Sequence, residues 1–153
     1  MLKKKAISII VPNEHKHAVL IDVSLSLSLR FSQIEGLSVI KVKAKALIDT
    51  GANCSCISKR LASACHLECT EFKNMRSAQG SVTAPVYNVD FEISDGIDFY
   101  DVPVLEFIGG RNFDMIIGMD ILQNVDIAIT NANNEMMFSM QIPPASEHID
   151  FTK

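Results

Sequence analysis

The stretch at residues 46–53, ALIDTGAN, is the part of the sequence that decides the fold. Three apolar residues lead directly into Asp49, Thr50 and Gly51, a pattern that predicts a buried strand delivering a carboxylate to a tight turn. Gly51 suits this turn because a glycine lets another backbone approach closely. An aspartate before a glycine can also simply cap its own loop, and so short a motif is weak evidence by itself.

Strand patterns lead into this stretch. The strand-like run begins at residue 19, and from residue 23 to residue 29 leucine or valine alternates with serine, which predicts a half-buried strand. The side chains expected to face the core are those of Val23, Leu25, Leu27 and Leu29. After a predicted turn at residues 33–36, a second alternating run at residues 39–48 is typical of the return strand of a hairpin. That hairpin ends at Asp49.

The later segments also favour β-structure. Strand-like runs flank residues 77–81, whose glycine and small polar residues predict an exposed hairpin tip. Residues 97–108 are predicted to be extended, and residues 125–142 to form a last hairpin. Short helices are expected only at residues 58–64, with Ser58 as N-cap, and from residue 119. The chain is therefore predicted to be all-β with one or two short helices.

Length and composition fit one globular domain. The chain has 153 residues, of which 48% are hydrophobic and 21% charged, enough to bury a core. The net charge is -4 and the only basic run lies at residues 3–5, so no nucleic-acid partner is expected. The apolar run at residues 6–11 is too short for a secretory signal, and no stretch approaches the ~20 apolar residues of a membrane span. We predict a cytoplasmic protein with no membrane partner.

Four cysteines and a histidine lie within one short segment: Cys54, Cys56, Cys65, His66 and Cys69. Their spacing matches no common zinc pattern, although a zinc-binding module stays an alternative interpretation. The preferred interpretation is a set of reduced, mostly buried thiols. We therefore predict neither a metal nor another cofactor.

A second motif downstream strengthens the first. Residues 113–122, FDMIIGMDIL, contain two isoleucines followed by Gly118 and the start of a predicted helix. The Asp-Thr-Gly loop, the hairpin tip and this Ile-Ile-Gly segment occur in the order typical of retropepsin-like aspartic proteases. From residue 39 to residue 122 the chain resembles this family, and the pair of motifs is specific where either alone is not. The long segment before Asp49 is closer to cellular and bacterial members than to viral ones.

The resemblance implies a fold and an activity. The fold would be an acid-protease-type closed β-barrel lobe, with residues 1–153 as a single domain whose ends, residues 1–15 and 144–153, are peripheral. The activity would be that of an aspartic endopeptidase, with Asp49 as the catalytic carboxylate. By the same resemblance, Thr50 hydrogen-bonds across a two-fold axis, the Gly51 carbonyl contacts substrate, and Gly118 belongs to the segment packed behind the loop.

The resemblance also implies a homodimer. Aspartic proteases use two carboxylates that share one proton, so that the pair acts as base and acid. This chain has a single Asp-Thr-Gly motif, and the second Asp49 would come from another copy across a two-fold axis. A non-catalytic dimerisation or peptide-binding module on the same fold is the alternative, because a fold alone does not confer activity.

The predicted substrate is a peptide or protein bound as an extended strand under a flap. The hairpin at residues 75–87 matches the flap by its order in the chain. The residues predicted to contact substrate are Gly51, Ala52, Asn53, Gln79, Gly80 and Ser81. Two positions depart from viral members, since Asn53 stands where an acidic residue is usual and Met119 where arginine is frequent.

Overall fold

The computed structural model describes residues 3–15, 17–30, 39–77, 80–94 and 96–153. In chain order, the strands are β1 (Lys5–Val11), β2 (Leu20–Leu27), β3 (Val42–Ile48), β4 (Cys56–Ser58), β5 (Glu71–Ser77), β6 (Gly80–Ile93), β7 (Ile97–Phe107), β8 (Met115–Ile117), β9 (Asp126–Ala132) and β10 (Glu135–Ile142). The α-helices are α1 (Lys59–Ala64) and α2 (Met119–Leu122), and a 3-10 turn spans Asn13–His15. The predicted all-β class with short helices is confirmed.

Six strands form a closed barrel. Neighbouring strands follow the order β2, β3, β8, β4, β7 and β6, and β6 pairs back with β2. The predicted β2–β3 hairpin is present as an antiparallel pair, with Leu20 opposite Leu47, while its predicted turn at residues 33–36 lies outside the described residues. The first half of β6 pairs with β5 and extends this pair beyond the ring of strands.

The end of β2 departs from the predicted alternation. Val23 and Leu25 are buried as expected, but Leu29 is 45% exposed, and Ser28 is buried instead. The strand stops at Leu27, after which the Leu29 N–H donates to the Asp90 carboxylate and the Ser28 hydroxyl donates to Asp101. The prediction for Leu29 was wrong because these bonds turn the backbone out of the strand, and period two no longer applies.

A second sheet has the strand order β1, β10 and β9. On the inner face of this sheet, the side chains pack in the same buried cluster as the barrel residues; they are those of Ile7, Val11, Phe138 and Met140. The predicted last hairpin is confirmed, and its tight turn places Asn133 and Asn134 at positive φ, which asparagine tolerates better than most residues. The run at residues 6–11 thus belongs to an edge strand that contributes Ile7 and Val11 to the core.

Both helices begin where the sequence indicated. Ser58 caps α1 by accepting a hydrogen bond from the Leu61 N–H at 3.0 Å. Helix α2 starts directly after Gly118 and buries Ile121 and Leu122. Neither of these helices, nor any other within the described ranges, has the length and apolar character needed to cross a membrane.

Candidate active site

Asp49 follows the last residue of β3, in contact with the second motif. β3 and β8 are parallel, with Ala46 opposite Met115 and Ile48 opposite Ile117. The Asp49 N–H then donates to the Ile117 carbonyl at 3.0 Å. Buried side chains surround this junction, since Ala46, Met115 and Ile117 are all fully buried. The two motifs recognised in the sequence therefore meet at the base of one loop.

The Asp49 carboxylate is oriented by its own turn. Its Oδ1 accepts a hydrogen bond from the Gly51 N–H at 2.9 Å, and its carbonyl accepts one from the Ala52 N–H at 3.2 Å. Asp49 therefore does cap its own loop, as one interpretation of the sequence predicted. The same side chain also lines a cleft, while Thr50 is exposed at the tip of the loop. Capping and a role in a site are compatible at this position.

Gly118 lies directly against the back of the loop. A Cβ atom at this residue would lie 2.8 Å from the carbonyl oxygens of Ala52 and Cys54, closer than real Cβ contacts allow. The next residue, Met119, donates its N–H to the Ala52 carbonyl at 2.8 Å. Gly118 is therefore required for the close approach of these two backbones.

A second attachment of the loop, between Ser55 and Asp120, was missed by the sequence analysis. Ser55 is fully buried. Its N–H and hydroxyl donate to the two Asp120 carboxylate oxygens at 2.9 and 2.8 Å, and its hydroxyl oxygen accepts from the Gly118 N–H at 3.1 Å. The sequence offered one signal, an acidic residue in the first turn of a helix. The Ser55–Asp120 attachment joins the segment of Asn53 to the segment of Met119. These are the two positions at which viral members usually have an acidic residue and often an arginine.

The loop forms the floor of a cleft of about 870 Å³. Of the predicted substrate-binding residues, Gly51, Ala52, Asn53 and Ser81 line it. Gly80 stands at the flap end with φ of 124° but is not part of the lining, and Gln79 lies outside the described residues. The predicted loop and flap positions thus face one cavity at Ser81 and at residues 51–53.

The flap is the β5–β6 hairpin, which closes with Ser77 opposite Gly80. A hydrogen bond of 2.8 Å from the Thr83 hydroxyl to the Asn74 side chain links its two strands. Its cleft-lining residues are Asn74, Met75, Arg76, Ser81, Val82 and Thr83. The predicted hairpin is thus present, and it lines the cleft with more residues than the predicted tip. Which side chains of each strand face the cleft depends on tertiary packing, which the sequence pattern does not show.

An apolar cluster forms one wall of the cleft. Its buried members are Cys56, Ala84, Val86 and Leu105, and the partly buried Cys54, Met75, Phe107 and Ile116 pack against them. Cys54, Cys56, Leu105, Phe107 and Ile116 also line the cavity. The wall can accept apolar side chains of a bound molecule.

The four cysteines of this segment lie in different environments in the structure. All four cysteines are free thiols; Cys56 and Cys65 are buried, Cys54 is half-buried and Cys69 is exposed. Within the described ranges, no group of three or more histidine, cysteine or acidic side chains is arranged to hold a metal ion. The described residues therefore provide no set of ligands for the zinc site that the sequence left as an alternative.

Comparison with known proteins identifies the family. Residues 37–124, more than half of the chain, match the family described as gag-polyprotein putative aspartyl protease. The chain belongs to this family. The fold is similar to that in the crystal structure of a retropepsin-like aspartic protease from Rickettsia conorii, with a TM-score of 0.53, 16% sequence identity and coverage of 92% of this chain and 97% of that chain. The retropepsin-like resemblance and the barrel fold are confirmed. A search of curated proteins gave no match.

Proposed function

We propose that this chain is an aspartic endopeptidase in which two copies each supply one Asp49. The observation that carries the proposal is the position of Asp49: its carboxylate lines the cleft, and its backbone is bonded to Ile117 of the second motif. Membership of an aspartyl protease family supports the same conclusion. The chemistry is hydrolysis of a peptide bond by an activated water.

The reaction needs a base and an acid in one place. A water molecule between the two Asp49 carboxylates loses a proton to the ionised member as it attacks the peptide carbonyl, and the protonated member supplies a proton to the carbonyl oxygen. Two adjacent carboxylates share one proton because ionising both is costly, so the titration belongs to the pair. One protomer has a single Asp-Thr-Gly loop and is incomplete alone.

The other loop residues would support this dyad. Thr50, exposed at the loop tip, would hydrogen-bond across the two-fold axis and hold the two loops together. The Gly51 carbonyl would accept from the substrate backbone, and Ala52 and Asn53 would continue that contact. Gly118, packed against the loop, would keep the loop from retreating into the barrel.

The proposed substrate is an extended peptide or protein segment. It would lie between the loop and the flap, bonded to flap backbone at Gln79, Gly80 and Ser81 by β-addition. The apolar wall formed by Cys56, Leu105 and neighbours favours an uncharged side chain at the position that faces it. The net charge of -4 disfavours nucleic acid, and a cytoplasmic location remains a prediction from the sequence.

The exposed edge of β9 is the proposed contact between copies. Along its outer edge, β9 pairs with no strand in the described part of the chain. Its central residue, Ile129, is 51% exposed. Antiparallel pairing of two β9 strands about Ile129 would extend the three-stranded sheets of both copies into one six-stranded sheet. The other edge strand, β1, is less suited because Lys5 bonds to Asp98 of the barrel and two more lysines precede it.

The decisive experiment compares wild type with Asp49→Asn on a diverse peptide library at mildly acidic pH. The near-isosteric amide keeps the bond from Gly51 but cannot hold the shared proton, so cleavage should be lost while the protein stays folded. Asp22→Asn is the control, because Asp22 is exposed and bonds to Lys45 outside the cleft. Cleavage retained by Asp49→Asn would refute the assigned role, and a wild type that binds peptides without cleaving them would establish the non-catalytic alternative.

A further inference from the structure

Arg76 is a charged residue of the cleft that the proposed chemistry does not use. It lies on β5 directly opposite Ser81 of β6, and the next pair along, Ser77 and Gly80, closes the flap hairpin. Arg76 and Ser81 both line the cavity that Asp49 lines. Arg76 therefore belongs to the part of the flap whose backbone, at Gly80 and Ser81, is proposed to bond to the substrate.

The Arg76 guanidinium makes no hydrogen bond or ion pair to another residue that the structure describes. Its neighbours on β5 are engaged, since Lys73 pairs with Glu71 at 2.9 Å and the Asn74 side chain accepts the Thr83 hydroxyl at 2.8 Å. A guanidinium carries five N–H donors in a planar fork that matches a carboxylate. Within the described part of the flap, Arg76 is thus a cation that stays available to a bound molecule.

The charge of the cleft differs in sign from the charge of the chain. Among the described residues that line the cleft, the charged ones are Asp49 and Arg76. In the proposed dimer the two Asp49 carboxylates share one proton and keep one negative charge, whereas the two Arg76 side chains bring two positive charges. Each chain as a whole carries a net charge of -4. A positive cleft in a negative protein favours an anionic group at that place over other surfaces.

We propose that Arg76 is a specificity-determining residue that binds an acidic side chain of the substrate, so that the cleft favours peptides with aspartate or glutamate near the scissile bond. The inference rests on the proposed function and deepens it by naming a class of substrate. Because Arg76 is the cross-strand neighbour of Ser81, a side chain of a peptide bonded at Ser81 lies within reach of the long arginine side chain. Two parallel N–H···O bonds then join the guanidinium to the carboxylate.

Apolar residues next to Arg76 strengthen such a contact. Met75, the preceding residue, and Phe107 pack against the buried apolar cluster, and both line the cleft. A peptide bound there displaces water from these side chains, and opposite charges attract more strongly in a less polar setting than in bulk water. An acidic side chain at Arg76 and an uncharged side chain at the apolar wall can therefore be recognised in one substrate.

The test starts from the peptide that wild type cleaves best and places glutamate, glutamine or lysine in turn at each position around the scissile bond. At one or more positions, kcat/KM for the glutamate peptide should exceed that for the glutamine peptide by about fivefold, the upper end of what a partly exposed ion pair supplies, mainly through KM. Arg76→Gln should bring this ratio to about one, Arg76→Lys should retain part of it, and Arg76→Glu should favour the lysine peptide instead. Lys73→Gln is the control, because Lys73 lies on the same strand but is paired with Glu71 and does not line the cleft, so it should keep the wild-type ratio.

The same ratio in wild type and Arg76→Gln would overturn the proposal. A fall in kcat that is equal for all peptides in Arg76→Gln would also overturn it, because Arg76 would then act on the Asp49 pair and not on the substrate. The inverted preference of Arg76→Glu cannot arise from misfolding, so this variant decides the matter if Arg76→Gln folds poorly.

Peptide binding separates this proposal from the proposed function. If wild type cleaves no peptide, the proposed function fails, and the scan is repeated on the peptide that binds best, with dissociation constants measured by fluorescence anisotropy. A preference for glutamate over glutamine that is present in wild type and lost in Arg76→Gln supports recognition of acidic side chains by Arg76. Equal dissociation constants for the two peptides in wild type would overturn it.

Discussion

Asp120 accepts two hydrogen bonds from one buried residue, Ser55, through the backbone N–H at 2.9 Å and the hydroxyl at 2.8 Å. Ser55 follows the Asp49 loop, and Asp120 lies in the first turn of α2. The helix that follows the second motif is thereby fastened to the segment that carries the carboxylate of Asp49, the proposed catalytic residue. The position of Asp49 depends on this attachment as well as on the bond to Ile117.

Replacing Asp120 by alanine should destabilise the protein by about 1–3 kcal/mol, because it leaves two buried donors of Ser55 without partners. The free energy of unfolding, measured with urea, tests this. Asp150→Ala is the control, since Asp150 is exposed and, among the described residues, bonds to Thr152 and Lys153 within the terminal turn. Equal stability of the two variants would contradict a structural role for the Ser55–Asp120 attachment. Peptide cleavage should also fall in Asp120→Ala, as the loop loses its support.

Gly118→Ala should displace the Asp49 loop, because the new methyl group would lie 2.8 Å from the backbone of Ala52 and Cys54. Such overpacking typically costs about 1–3 kcal/mol. Gly96→Ala is the informative comparison, since Gly96 lies outside the cleft lining and, among the described residues, a Cβ there meets nothing closer than the Lys5 Nζ atom at 3.9 Å, so the substitution is unfavourable through its φ of 81°. Urea unfolding should show a loss in both variants, while thermal melting in the presence of a bound peptide should reveal weaker peptide binding in Gly118→Ala. A wild-type stability for Gly118→Ala would show that the loop can move aside freely.

Ile129→Lys should weaken self-association without unfolding the protomer. At the proposed β9–β9 contact the two lysines would meet near the two-fold axis, and their repulsion should raise the dissociation constant at least about tenfold, equivalent to ~1.4 kcal/mol. Sedimentation over a range of concentrations gives the dissociation constant. Ile10→Lys is matched in exposure, with 53% for Ile10 against 51% for Ile129, and lies on the other edge strand. The proposal for β9 fails if Ile10→Lys dissociates the dimer and Ile129→Lys does not.

Asp114 should make folding stability depend on pH in the acid range. Burial alone would raise its pKa, but hydrogen bonds from Arg60 and Ser58 and the Arg60 charge hold the pKa of Asp114 below its ordinary value. A depressed carboxyl pKa contributes stability above the ordinary value of ~3.9, and that contribution is lost as pH falls through the lower folded-state pKa. Urea unfolding at a series of pH values should therefore show a shallower acid loss for Asp114→Asn than for wild type.

Arg60→Gln is the companion variant for this test. It leaves the Asp114 carboxylate and its bond to the Ser58 hydroxyl at 2.6 Å but removes the cation. The pH dependence should then lie between those of wild type and Asp114→Asn. If all three proteins lose stability alike between neutral pH and the acid range, Asp114 is not the group responsible. At the mildly acidic pH of the cleavage assay Asp114 remains ionised, so a loss of activity there would not arise from unfolding at this site.

The sequence by itself determined the features that depend on local pattern. The alternating run of β2, the apolar approach to Asp49, the Ser58 cap and the asparagine turn near the end are each set by neighbouring residues, and each is present in the structure. The order of the two motifs was also enough to indicate the family. These features follow from periodicity and backbone preference, which act over a few residues.

Only the tertiary structure decided what meets across the barrel. The pairing of β3 with β8, the two bonds from Ser55 to Asp120 and the entry of Cys54 and Cys56 into the cleft all join segments whose separation along the chain carries no periodic signal. Leu29 turned outward for the same reason, because Asp90, far along the chain, accepts its N–H. Such contacts depend on which strands become neighbours when the barrel closes, and that is settled by packing of the whole core.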